Sequence, residues 1–248
     1  MKPWFLLGIG LGTYALGLVS MAPASLLDAA LREWTGSRIR LVEAHGTLWH
    51  GTGQLELLDK QFGRAIVKPV AWSLLPEYLL RGQLHYELEV NQSGRRVEVL
   101  LSPTQAEVNN LDIELPASAI GMVLANIAPL ELTGNLSMHL EHFVFGRDEM
   151  RGNATVKLLA AGSLHAALAS LGDYELFVEG SGATARAVLR TLQGPLQIDG
   201  NGTWAVHGNS AFVGTARIAP QNRQQLSPLL RMFAVERTEG LFDLVLNF

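Results

Sequence analysis

The chain has 248 residues, a formal net charge of −4 and no cysteine. Disulfides, thiol chemistry and thiolate zinc sites are therefore excluded, and the acidic balance leaves no basic footprint for nucleic acid. With 25 glycines and few long charged runs, the composition suits many strands joined by tight turns rather than helical repeats.

Residues 1–3 read as a short tail. Residues 4–22 carry no charge and are long enough for a bilayer core, which needs about 20 apolar residues. The expectation is a single N-terminal transmembrane anchor. Its rival is a cleaved signal peptide, since Ala22-Pro23-Ala24 resembles a cleavage site, but signal cores run only about 7–15 residues. Gly8 and Gly12 have the small-xxx-small spacing that lets another membrane helix approach, although glycine is common in such helices in any case. Lys2 favours a cytoplasmic N-terminus while Arg32, Arg38 and Arg40 follow the run closely, so charge alone leaves the orientation open.

Residues 23–36 read as a juxtamembrane amphipathic helix. Ser25 and Asp28 form a capping arrangement, and Leu27, Ala30, Leu31 and Trp34 share one face that lies on the membrane or packs on the domain. From Ile39 the period changes to two. Ile39 and Leu41 alternate with Arg38 and Arg40, the glycine-rich stretch from Gly46 to Gly53 interrupts, and Leu55 and Leu57 resume the alternation.

The clearest strand places Leu84, Tyr86, Leu88 and Val90 on one face and Gln83, His85, Glu87 and Glu89 on the other, the pattern of a half-buried antiparallel strand. A turn at Asn91-Gln92-Ser93-Gly94 and a return through Val97, Val99 and Leu101 complete a hairpin. Leu111, Ile113 and Leu115 alternate next. Pro116 opens a helical segment over residues 117–127, and Gly134 precedes a strand through Leu136, Met138 and Leu140. Phe143 and Phe145 fall on the opposite parity, which predicts a bulge or a strand end.

Residues 37–146 form a first β-rich half and residues 147–248 a second. In the second, Tyr174, Leu176 and Val178 lead through Gly180-Ser181-Gly182 to Ala185, Ala187 and Leu189. Gly194-Pro195-Leu196 and Gly200-Asn201-Gly202 punctuate the chain. Pro220, a helix, Gly240 and a final alternating strand ending at Phe248 repeat the order Pro116, helix, Gly134, strand. The fold class is mainly β: an N-terminal membrane helix, then antiparallel strands with a few short helices, in two similar halves forming an extended or curled sheet.

Chemistry is hard to find. The seven histidines fit no metal motif, and His139 and His142 are expected on opposite faces of one strand. Neither a Gly-x-Ser-x-Gly elbow nor a Ser-x-x-Lys motif occurs. The carboxylates Glu87, Glu89, Asp112 and Glu114 sit on polar strand faces, where solvation explains them. No cofactor is implied, and the reading is a scaffold or binding protein rather than an enzyme. The chain ends on an alternating strand with a terminal Phe248, as many outer-membrane barrel strands do. A barrel needs lipid-facing strands of about 10 residues throughout, whereas shorter strands, helices and an inner anchor are expected here.

The ordered set Gly46-Thr47-Leu48-Trp49-His50-Gly51, Trp72-Ser73-Leu74-Leu75-Pro76, Leu79-Leu80-Arg81-Gly82, Pro116-Ala117 and Gly194-Pro195-Leu196 resembles protein N of the bacterial type II secretion system. The resemblance implies a non-enzymatic accessory subunit of the inner membrane, its N-terminus cytoplasmic and its β-rich domain in the periplasm. Its expected partners are the inner-membrane platform proteins, the secretin, and lipid through the anchor. The candidate structural or interaction residues are Gly46, Trp49, Gly51, Trp72, Pro76, Gly82, Pro116, Gly134, Gly194, Pro195 and Phe248. Tethered, glycine-rich β-sheets also resemble lipid-conduit proteins of the AsmA type, in which case Leu84, Tyr86, Leu88, Val90, Leu136, Met138 and Leu140 line a groove.

Overall fold

The computed structural model describes residues 14, 17–59, 64–90, 95–123, 125–165, 170–208, 210–232 and 234–247. Most of the expected anchor lies outside them. The described part is helical over residues 17–20, and among the described residues no helix is long and apolar enough to cross a membrane. The turn at residues 91–94 also lies outside them.

The fold is mainly β, and it clusters into two compact units, Met1–Arg96 and Val97–Phe248. The first unit contains helix α1 (Ser25–Trp34), strands β1 (Ile39–Gly46), β2 (His50–Asp59) and β3 (Arg64–Leu75), a 3-10 turn (Pro76–Arg81) and β4 (Leu84–Val90). Each strand pairs antiparallel with the next, with Leu41 opposite Leu55, Gly51 opposite Trp72 and Leu74 opposite Tyr86. The period-two pattern buries one face: Leu41, Val70, Trp72, Leu74, Tyr86 and Val90 are all shielded. Burial pushes the Tyr86 phenol up to about 12, since the phenolate loses its solvation there. Leu84, at the strand's first position, stays exposed.

Helix α1 forms where the sequence placed it, but not with the expected cap. Ala24 is the N-cap and no side chain caps the helix. Asp28 instead accepts from the Leu41 N–H (3.0 Å) and pairs with Arg32 (3.0 Å). It thereby ties the helix to the edge strand β1, where Glu43 has a positive φ of 50° and the register shifts between Val42 and His45. A bulge and an acidic side chain on an edge both oppose the addition of another strand.

The second unit contains β5 (Arg96–Leu101), β6 (Gln105–Pro116), helix α2 (Ser118–Val123), a 3-10 segment (Ala125–Leu130), β7 (Leu132–Gly146), β8 (Met150–Ser163), β9 (Gly172–Gly182), β10 (Thr184–Gln193), β11 (Leu196–Ala205), β12 (Ala211–Ile218), helix α3 (Arg223–Leu230), β13 (Val235–Thr238) and β14 (Leu241–Asn247). The order is a meander until its end, where β14 sits between β12 and β13. The sequence division at residues 146 and 147 falls in the β7–β8 turn, and these two strands pair along their length.

The expected bulge is present in β7, where the register shifts between Leu140 and His142. It carries the buried face from Leu136 and Leu140 onto Phe143. It also corrects the histidine reading: His139 and His142 both end on the polar face, opposite Thr155 and Asn153. His142 Nδ1 lies 2.5 Å from Asn109 Oδ1, and no metal-binding cluster occurs among the described residues.

Pro116 closes β6, opposite Asn135, and the expected helical segment follows it as α2 and the 3-10 segment. Gly200 and Gly202 do not break the chain; both lie inside β11. Their absent side chains leave room for the Phe212 ring of β12, whose Cδ2 lies 3.2 Å from where a Gly202 Cβ would sit and whose Cζ would meet one on Gly200. Glycine here marks close approach, not a turn.

Candidate functional site

The first candidate residues converge on one corner of the first unit. Gly46 ends β1 with φ of 101°, and a Cβ there would lie 2.5 Å from the His50 carbonyl oxygen. Only glycine adopts that geometry without strain. The Thr47 hydroxyl accepts from the N–H groups of Trp49 (3.2 Å) and His50 (3.3 Å), which holds the turn. Gly51 opens a slot for Trp72, whose ring would stand 2.5 Å from a Gly51 Cβ. Trp72 is 5% exposed and its indole N–H donates to the Thr47 carbonyl (3.0 Å).

Trp49 differs from its neighbour. It is only half-buried, and its indole N–H donates to the Val19 carbonyl (2.9 Å). The Leu48 N–H donates to the Ala22 carbonyl (2.8 Å), and Pro23 bridges to Thr47. These bonds satisfy carbonyls left open at the end of a helix and fasten the N-terminal segment to the β1–β2 turn. Trp72 is the core residue of this corner and Trp49 the connector.

Pro76 and Gly82 frame a second feature. Pro76 begins the 3-10 turn and Gly82 ends it with φ of 70°, a left-handed cap suited to glycine. Tyr78 stacks edge-on to His85, with the Arg81 guanidinium 5.9 Å from its ring. Leu80 at the apex is 95% exposed.

Pro116, Gly134, Gly194 and Pro195 lie in the second unit, at the end of the sheet carrying its helices. The Ala117 N–H donates to the Gly134 carbonyl (2.9 Å), and the Ala219 N–H to that of Pro195 (2.9 Å). Gly194 packs against the Gly172 backbone, with no room for a side chain. Tyr174 seals the junction, its hydroxyl donating to the Leu196 carbonyl (2.8 Å). Burial, with the Asp173 charge beside it, holds the Tyr174 phenol well above its ordinary range. Phe248 lies outside the described residues.

The feature that single motifs did not reveal is the composition of a whole face. From β8 to β12 and in β14, one face carries no Asp, Glu, Lys or Arg among the described residues; the other carries Lys157, Glu175, Glu179, Arg186, Arg190 and Asp243. The polar side chains on the apolar face bond internally: Tyr174 as described, Thr191, whose hydroxyl donates to the Ile198 carbonyl (2.9 Å), and Ser163, whose hydroxyl donates to the Leu130 carbonyl (2.5 Å). Helix α3 and the 3-10 segment cover one end of this face. There Phe242, Ile218, Leu226 and Leu230 are fully buried in a core with Leu130, Leu171 and Leu196. Towards the other end cover is lost, and Phe145 and Trp204 are 46% and 44% exposed.

The edge at β14 is the second such feature. Strand β13 pairs only with residues 241–243 of β14. Among the described residues, no strand pairs with Leu244–Asn247 on that side. Val245 there is 59% exposed. Arg231 at the end of α3 donates to Glu236 of β13 (2.7 Å). That bond, with the Gly240 N–H and the Arg231 charge, holds the Glu236 carboxyl below its ordinary value.

An antiparallel meander with one charge-free face and a half-open edge defines a β-sheet scaffold or binding protein. The family model for type II secretion system (T2SS) protein N matches residues 37–245. The chain belongs to that family, an accessory subunit of type II secretion that is not known as an enzyme. Neither a curated protein nor a solved structure matches the chain.

Proposed function

We propose that this chain works by protein–protein contact in the assembly or stability of the type II secretion machine. It is held in the inner membrane by residues 4–22, with its N-terminus in the cytoplasm and its β-sheet units in the periplasm. Its partners are the inner-membrane platform proteins and the secretin. The observation that carries the reading is the family match over residues 37–245; two features of the fold support it. The bonds from Trp49 and Leu48 to the end of the N-terminal segment set the first unit rigidly on whatever that segment is anchored in. Such tethering raises the effective concentration of the units for other anchored subunits. The open half of β14 presents main-chain groups to which an extended partner segment adds as a strand.

The test is a photo-reactive residue at Val245 in the full chain in native membranes, with adducts identified by mass spectrometry. Adducts to platform subunits or the secretin are expected. Adducts confined to proteins outside the secretion machine, or none, contradict the reading.

A further inference from the structure

The β1–β2 turn, to which the N-terminal segment is fastened, marks one end of the first unit's strands. Strand β3 returns to that end: His50 stands opposite Ser73, and the Leu74 N–H donates to the Trp49 carbonyl (2.6 Å). The chain then runs two residues further, about 7 Å at the strand rise, before Pro76 starts the 3-10 turn. Tyr78 folds back onto His85 of β4, with 4.5 Å between ring centres, and Leu79 is half-buried. The apex therefore presents Leu80, almost wholly exposed. One exposed leucine is ordinary, so its surroundings matter. Outside residues 4–22, the exposed large apolar side chains described in the first unit are Leu26, Val67, Leu80 and Leu84. All but Val67 lie at the fastened end, Leu26 at the start of α1 and Leu84 beside the Leu75–His85 pair. The opposite end carries Arg38, Asp59 and Arg64 instead.

We infer that the Pro76–Arg81 turn docks on the phospholipid bilayer, inserting Leu80 at the interface as a second contact beside the anchor. The inference rests on the anchoring of residues 4–22 proposed above. Trp49 fixes the level. Its indole N–H donates to the Val19 carbonyl (2.9 Å), within about 5 Å of the end of the apolar run at the helical rise. An anchored run therefore holds Trp49 at the membrane–water boundary, where tryptophan is favoured, and the turn projects from the same end of the strands. A protein partner fits less well. Standard interfaces bury about 800 Å² a side around aromatic or arginine anchors in pockets, and this apex offers one leucine. For a bilayer one leucine suffices, because the tether already supplies proximity. Arg81 is exposed, with its guanidinium 5.9 Å from the Tyr78 ring. The pair suits the headgroup level, where tyrosine and a snorkelling arginine are favoured. Glu77 limits the depth. It stands one 3-10 turn, about 6 Å, from Leu80, so its carboxylate stays hydrated only if Leu80 alone passes the headgroups.

With no cysteine in the chain, Leu80→Cys and Val67→Cys each carry one environment-sensitive fluorophore. The purified full chain is placed in vesicles of phosphatidylethanolamine and phosphatidylglycerol that contain nitroxide-labelled phospholipid, and quenching is read. Quenching at position 80 several-fold above that at 67 is expected, stronger from a nitroxide near the headgroup than from one deep in the acyl chains. Leu18→Cys, inside the apolar run, reports the anchor separately. Where 18 is quenched, no quenching at 80, or equal quenching at 80 and 67, overturns the inference and leaves the anchor standing. No quenching at 18 overturns both. Leu80→Glu removes no buried contact. It is expected to lower the quenching of a probe at Leu84→Cys several-fold while that at 18 is unchanged. Undiminished quenching at 84 overturns the inference as well.

Discussion

The two ends of one sheet face make an instructive contrast. Strands β11, β12 and β14 run the length of the second unit with the same alternation, yet Ile218 and Phe242 are sealed while Trp204 is half open. What differs is the chain that follows each turn. At the closed end the segments between Pro116 and Gly134 and between Pro220 and Gly240 carry helices, and Leu130, Leu226 and Leu230 from them meet in one core. At the other end the turns are short and carry nothing apolar enough to fold back. Alternation decides which face is apolar; the connections decide whether it is covered.

That contrast can be broken most forcefully at the closed end. Phe242→Ala is expected to cost about 3–5 kcal/mol, as for other fully buried aromatics; Leu189→Ala, half-buried, should cost about 1 kcal/mol. Equal losses in urea unfolding would mean that the two ends are covered alike. Gly51→Ala forces a methyl onto the Trp72 ring and should cost about 1–3 kcal/mol by overpacking, read from the same curves. Trp72→Phe keeps most of the packing but leaves the Thr47 carbonyl without its donor, for a loss of about 1 kcal/mol. The smallest effect is electrostatic. Because the folded Glu236 carboxyl lies below its unfolded value, about 4.3, its contribution is present above that pH and fades as pH falls through the folded value. The protection of the β13 amides against hydrogen exchange, taken relative to the intrinsic rate at each pH, should therefore fall as pH drops through the folded value, and Glu236→Gln should remove that change in protection.

Much of this was legible in the sequence. The strand from Leu84 to Val90 and the bulge before Phe143 follow from side-chain parity alone, and the helix after Pro220 from its punctuation. The order of the turn glycines and tryptophans carried the family. Other features depended on partners that sequence spacing does not name. Gly200 and Gly202 read as a turn because the ring they accommodate, that of Phe212, belongs to the next strand. Asp28 read as a cap because its acceptor role toward Leu41 spans the α1–β1 connection. The histidines changed faces because a bulge inserts one residue between them. The covering of one end arises only once the strands are assembled.

The central claim, that one charge-free face is closed by α3 at one end and open at the other, is most directly tested by thiol accessibility. The chain has no cysteine, so Leu189→Cys, Leu176→Cys, Ile218→Cys and Leu230→Cys each supply one clean probe for a small, membrane-permeant maleimide in native membranes. The account predicts ready modification at positions 189 and 176, and modification at 218 and 230 only after unfolding. Equal protection of all four positions, or ready labelling at 218 and 230, would contradict it.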